Sequence, residues 1–187
     1  MRLNIYLISH PIIKQLSLSI INTSLKNKQI YQYNAKLLGC LLIYETVRKW
    51  IIIHYISIKN IDSKKELYKF DAKESYIILT NLTECGDIVS DINTILPQMY
   101  LQHINFNNYY EDNYIHLNMI KKEKIIIVEK FLNNYSIIRL LDYLLLEQKV
   151  RISQIKIICI TCSHSICEYL GNKYQSLEIY TTKMYKY

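Results

Sequence analysis

Lys124-Ile125-Ile126-Ile127-Val128-Glu129-Lys130-Phe131-Leu132-Asn133-Asn134-Tyr135-Ser136-Ile137 is the stretch whose reading decides the fold. Residues 124–128 form a short run that is apolar on both sides, the mark of a strand covered on both faces of its sheet. A polar loop follows. Residues 136–148 then place Leu140, Leu141, Leu144 and Leu145 at helical spacing. The same rhythm extends in both directions. Residues 76–80 read as a strand, 87–96 as a helix closed by Pro97, and 99–106 as another strand. Residues 114–119 read as a hairpin excursion, 154–160 as a strand, 164–170 as a helix and 177–180 as a last strand. Short apolar strands alternating with helices predict an α/β fold with a parallel sheet flanked by helices. In such folds ligands meet the carboxyl ends of the strands. Chemistry is therefore to be sought just after Thr80, Phe106, Val128 and Thr161.

Upstream, Tyr33, Leu37, Cys40, Leu41 and Tyr44 fall at helical spacing, so residues 28–49 read as an amphipathic helix. Residues 51–58 are β-branched and aromatic, a strand, and 59–74 read as a charged connector. No Pro/Gly/Ser-rich linker, low-complexity tract or internal repeat interrupts the chain. It is read as one domain over 1–187, with a helical N-terminal segment 1–50 and a core sheet over 76–181.

With 187 residues, half of them hydrophobic, the chain can bury a sizeable core. It has 18 tyrosines, 3 glycines and 2 prolines, and Ala35 and Ala72 are its only alanines. Residues with AT-rich codons have replaced the others, which points to a low-GC genome such as an organelle's. The formal charge of +7 favours anionic partners. The lysines are scattered, however, with Lys64-Lys65 and Lys121-Lys122 the densest spots, and no basic stripe argues for nucleic acid. A basic RNA-binding domain with tyrosines as stacking surfaces is the reading that charge alone would support. No secretory signal is visible, and no segment approaches the ~20 apolar residues of a membrane span. The expectation is an intracellular protein without a membrane partner.

Cys40, Cys85, Cys159, Cys162 and Cys167 lie in apolar segments, as free thiols of a reducing compartment do. Cys159-Ile-Thr-Cys162-Ser-His164-Ser-Ile-Cys167 has the elements of a zinc site. Cys159 and Cys162, three apart on a strand, are expected to start on opposite faces, so the cysteines are read as structural and no metal site is assigned.

Two further stretches narrow the fold. His10-Pro11-Ile-Ile-Lys-Gln-Leu-Ser-Leu precedes Leu38-Gly39-Cys-Leu-Leu-Ile-Tyr44-Glu45-Thr-Val-Arg48. Together they resemble the opening of the uracil phosphoribosyltransferase family, where a His-Pro-Leu segment leads to a helix ending in Leu-Leu-x-Tyr-Glu. Pro97 and residues 154–160 fall in the same register. The resemblance implies a type I phosphoribosyltransferase-like fold and, in an active protein, uracil joined to phosphoribosyl diphosphate to give UMP in pyrimidine salvage.

It also shows where this chain departs from the family. The family's phosphoribosyl-diphosphate loop, Val-Asp-Pro-x-x-Ala-Thr-Gly-Gly-Ser, falls on Val128 to Ile137. Its acid becomes Glu129, its Ala-Thr pair Asn133 and Asn134, and its two glycines Tyr135 and Ser136. A tyrosine there is expected to crowd a phosphate, with Ser136 as a helix N-cap. After residues 77–80 the family's Leu-Arg-Ala-Gly is replaced by Leu82-Thr83-Glu84-Cys85-Gly86. Thr83 stands for the arginine, Glu84 adds a negative charge, and Gly86 is left for a tight turn. The family's Tyr-Arg pair after residues 99–106 is replaced by Asn107-Asn108-Tyr109-Tyr110-Glu111-Asp112, and no counterpart of its C-terminal uracil-binding segment is read at the end of the sequence. The resemblance therefore implies a scaffold without catalysis and without a confident catalytic residue. No cofactor is expected; Mg²⁺ would be needed only by an active enzyme, held with the ribose by Glu129. The partner would be a second copy or an active homologue. Composition and family together suggest a plastid-encoded protein, or otherwise a cytoplasmic one.

Overall fold

The structure, a computed structural model, describes residues 3–22, 27–71, 74–96, 98–105 and 123–185. The elements run β1 (Asn4–Leu7), α1 (Pro11–Ile21), α2 (Lys28–Val47), β2 (Ile53–Lys59), β3 (Lys64–Phe70), β4 (Tyr76–Thr80), α3 (Leu82–Val89) and β5 (Met99–His103). They continue with β6 (Lys124–Leu132), α4 (Ser136–Asp142), β7 (Ile155–Ser163), α5 (His164–Lys173) and β8 (Glu178–Tyr185). Six strands form one sheet in the order β1-β8-β7-β6-β4-β5, every neighbouring pair parallel. The α/β reading is borne out.

Both faces of the sheet are covered. Ile78, Ile126, Val128 and Ile158 face α1, α2 and α3, packing with Ile13, Leu38, Leu42 and Ile88. Ile77, Leu79, Ile125, Ile127 and Ile157 face α4 and α5, packing with Leu140, Leu144, Ile166 and Leu170. Every residue of β4 and of β7 is buried, which is why these strands show no polar alternation.

Local signals start the helices. Pro11 opens α1 with its φ already set and no N–H to satisfy, and Ile12 N–H donates to His10 Nδ1 at 3.3 Å. Asn27 caps α2 by accepting from the backbone N–H groups of Gln29 and Ile30. Gly39 sits where α2 crosses α3: a Cβ there would stand 1.8 Å from the Ile88 carbonyl oxygen.

Several sequence expectations need correction. The segment 1–50 is not wholly helical, because Asn4–Leu7 is an edge strand paired with β8. The sheet extends past 181 to Tyr185, and β6 runs four residues beyond Val128, to Leu132. Residues 59–74 are more than a connector: β3 pairs antiparallel with β2 from Ile53↔Phe70 to Lys59↔Lys64. All fourteen residues of this ribbon are exposed. The helix expected at 87–96 begins at Leu82, because Asn81 caps it, and a 3-10 turn at Ile92–Thr94 follows. Gly86 lies inside that helix with an ordinary φ and makes no turn.

Helix α2 is present, but its inward face is Ala35, Leu38, Gly39, Leu42, Ile43, Thr46 and Val47. Tyr33 and Tyr44, expected inside, are 68% and 52% exposed. The hairpin expected at 114–119, Pro97 and residues 107–112 lie outside the described residues.

Candidate functional site

From β4 the chain turns through α3 to β5 on one side, whereas β6 pairs on the other side of β4 and leads on to β7. The strand order therefore reverses between β4 and β6, and a crevice opens beyond their carboxyl ends, the position where such folds bind ligands. Thr80 Oγ1 donates to the Val128 carbonyl at 2.7 Å and joins the end of β4 to the middle of β6 beneath it. Above lies a cleft of about 320 Å³ lined by Asn81, Glu84, Glu129, Phe131, Asn133, Asn134 and Ser136.

The β4 side is braced by its own hydrogen bonds. Asn81 Oδ1 accepts from Thr83 N–H at 3.1 Å and from Thr83 Oγ1 at 2.6 Å, and its Nδ2 donates to Glu84 Oε1 at 3.2 Å. Leu82 N–H donates to His103 Nδ1 at 3.1 Å, tying the start of α3 to the end of β5. Asn81 and Phe131 were not singled out in the sequence. Asn81-Leu-Thr-Glu84 carried the signal, a capping residue with an acid three positions on.

Glu129 lies in β6 itself, with Oε2 enclosed and without a hydrogen-bond partner. Burial, and then the nearby charge of Glu84, push its carboxyl up to about 8. At neutral pH it is largely protonated and offers a donor rather than a charge. Lys130 donates to the Tyr31 hydroxyl of α2 at 3.0 Å and does not line the cleft. The cleft thus offers two acids, three amides, a hydroxyl and an aromatic edge, with no cationic side chain among the described residues that line it.

Four of the five loop residues expected together meet here: Glu129, Asn133, Asn134 and Ser136. Tyr135 does not line the cleft. It is 52% exposed and sits edge-on to Tyr169 of α5, ring centroids 5.6 Å apart, so the expected crowding does not occur. Tyr135, not Ser136, occupies the N-cap of α4, with no side-chain cap. Among the described residues only Lys149 and Ser176 have positive φ, so this loop runs without any glycine conformation.

The expectation that Cys159 and Cys162 lie on opposite faces is wrong. Both pack into the α4–α5 side of the core with Cys167. The ladder register passes over Lys130, Ile160 and Thr182, and the Ile160 carbonyl accepts from the hydroxyls of Thr181 and Thr182. The pairing offsets are the same on either side of this gap, so no residue is inserted; the strands lose their regular alternation there together, and Cys162 falls on the same side as Cys159. Hydrogen bonds from Cys159 and Cys167 hold the Cys162 thiol below its usual range, while burial pushes Cys159 up. Among the described residues no group of three or more His, Cys, Asp or Glu is placed to hold a metal ion. No helix among them is long and apolar enough to cross a membrane.

No protein-family model matches the chain. Two curated proteins do, each named "Uracil phosphoribosyltransferase homolog", one from Porphyra purpurea and one from Pyropia yezoensis. Each is 28% identical over 184 residues, covering 98% of this chain and 89% of the relative. Among solved structures, the AQ2163 protein from Aquifex aeolicus superimposes with a TM-score of 0.75 at 15% identity, covering 97% of this chain and 88% of that one. That likeness shows a shared fold. The similarity to the two proteins named "Uracil phosphoribosyltransferase homolog" thus extends over almost the whole of both chains.

Proposed function

We propose that this chain keeps the phosphoribosyltransferase scaffold without the transfer reaction and serves as a structural or regulatory partner. One observation carries the reading: among the described residues, the lining of the cleft at the strand switch point holds the acid Glu84, a protonated Glu129 and no cation where a phosphoribosyl diphosphate would bring several negative charges. Like charges at such range repel, and more strongly in a partly dry cleft than in water. Among the described residues no cage of three or more acidic, thiol or imidazole groups stands ready to hold a divalent ion that would offset this repulsion.

The ribbon β2–β3 supports the partner role. Ile53, Tyr55, Ile56, Ile58, Leu67, Tyr68 and Phe70 are all exposed on it. An isolated two-stranded ribbon is marginal in water unless an apolar face is covered. A second copy of this chain, or an active homologue, is the cover we infer. Sedimentation analysis should show self-association that is lost when residues 53–70 are replaced by a short flexible link; a monomer at all concentrations would exclude the second copy. The AT-rich composition fits an organelle, and we place the protein in a plastid.

The decisive experiment is calorimetric titration with phosphoribosyl diphosphate, with and without Mg²⁺. No heat up to millimolar ligand is expected from folded protein. Micromolar binding abolished by Glu129→Gln would establish the second reading, an active enzyme making UMP and diphosphate from uracil. That reading rests on Glu129, whose enclosed and unpartnered oxygen stands where the family places an acid.

A further inference from the structure

A second cleft, of about 410 Å³, opens on the far edge of the sheet between the end of β1 and the end of α2. Its chemistry is opposite to that of the first. His10, Arg48 and Lys49 line it with Ser9, and Glu45 is the one acid among the described residues of the lining. Glu45 Oε2 is 3.5 Å from Arg48 Nη1, so a single cation there is balanced. Lys49 has no carboxylate partner among the described residues; its ammonium lies 5.5 Å from the centre of the Tyr6 ring. His10 Nδ1 accepts from the Ile12 N–H, so a neutral imidazole carries its proton on Nε2 and presents a donor. Tyr6 stacks on Tyr180, ring centroids 4.7 Å apart, and stands as a wall of the cleft.

The cleft therefore combines donors from three directions with an unbalanced positive charge, within the size range of small-ligand sites. Arg48 suits a tetrahedral or planar oxyanion through its forked donors, and Lys49 supplies a point charge. A carboxylate has two oxygens to share among Ser9, His10, Arg48 and Lys49, whereas a phosphate has enough for all. We propose that the β1–α2 cleft is a binding site for a small phosphate monoester, separate from the cleft at the switch point and independent of what that cleft binds.

Calorimetry with inorganic phosphate and with glycerol 3-phosphate tests this on the whole chain. Both should bind, the ester at least as tightly, and added salt should weaken both because the charges are exposed. Lys49→Ala should weaken binding by about tenfold or more, as loss of a charged hydrogen bond does, and Lys49→Arg should largely preserve it. Lys49 is exposed, so neither change disturbs the core. Glu129→Gln, in the other cleft, should leave the titration unchanged. Absence of binding at millimolar ligand would overturn the assignment. So would binding insensitive to Lys49→Ala and to the Arg48→Ala/Lys49→Ala double variant, or binding that is lost in Glu129→Gln.

Discussion

Glu129 carries the clearest consequence of a single side chain. Its carboxyl titrates near 8 in the folded protein against 4.5 for the free group, so between these values the folded state holds a proton that the unfolded chain has released. The folded state binds more protons there, and stability must fall as pH rises through that window. Urea unfolding at pH 5 and pH 8.5 should show this decline in the parent protein and a flatter profile in Glu129→Gln, the two profiles diverging by at most about 4 kcal/mol over that range. Equal slopes for the two proteins would mean that Glu129 is solvated and ionised. The identity of this acid was legible in the sequence, since it follows an apolar run at the place the fold reserves for ligands. Its burial was not, because nothing in the sequence shows that β6 continues to Leu132 and carries Glu129 within the sheet. The thiols teach the same lesson. Alternation predicts opposite faces for Cys159 and Cys162, and an irregularity centred on Ile160 reverses it.

At the scale of elements, two of the three helical glycines, Gly39 and Gly86, predict opposite outcomes. Gly39→Ala would push a methyl group into the Ile88 carbonyl and force α2 and α3 apart, costing about 3 kcal/mol or more. Gly86→Ala meets nothing within 4 Å and replaces a poor helix former inside α3, so it should stabilise by about 0.5–1 kcal/mol. Thermal unfolding of the two variants separates these directions, and a melting point raised by Gly39→Ala would refute the close crossing of the helices. Elements whose surroundings are uniform were legible. β4 and β7 are buried on both faces and read as unbroken apolar runs. The ribbon was half legible: Ile53–Lys59 is β-branched enough to read as a strand, but Lys64-Lys65-Glu66 hides its partner in a charged stretch that solvent can cover. Helix α2 was found from its spacing, yet the large residues Tyr33 and Tyr44 pointed to the wrong face. The inner face was chosen by small side chains, Ala35 and Gly39, which let the helix approach its neighbours.

For the whole molecule, the joining of β1 to β8 sets an order of events. Asn4 pairs with Glu178 and Leu7 with Thr181, so one edge of the sheet is built from residues near the two extremes of the described chain. During synthesis β1 emerges first and has no place to dock. Until residues 178–185 have left the ribosome, β7 presents a bare edge of unpaired N–H and C=O groups, the kind of edge to which other chains add. Nascent chains stalled before residue 178 should therefore be cut readily by protease in both β1 and β7, and protection of both should arrive together once β8 is released. Protection of β1 in the stalled chain would show that another surface holds it. β8 acts as the latch for β1, and until it is made this chain depends on whatever shields an open sheet from its neighbours.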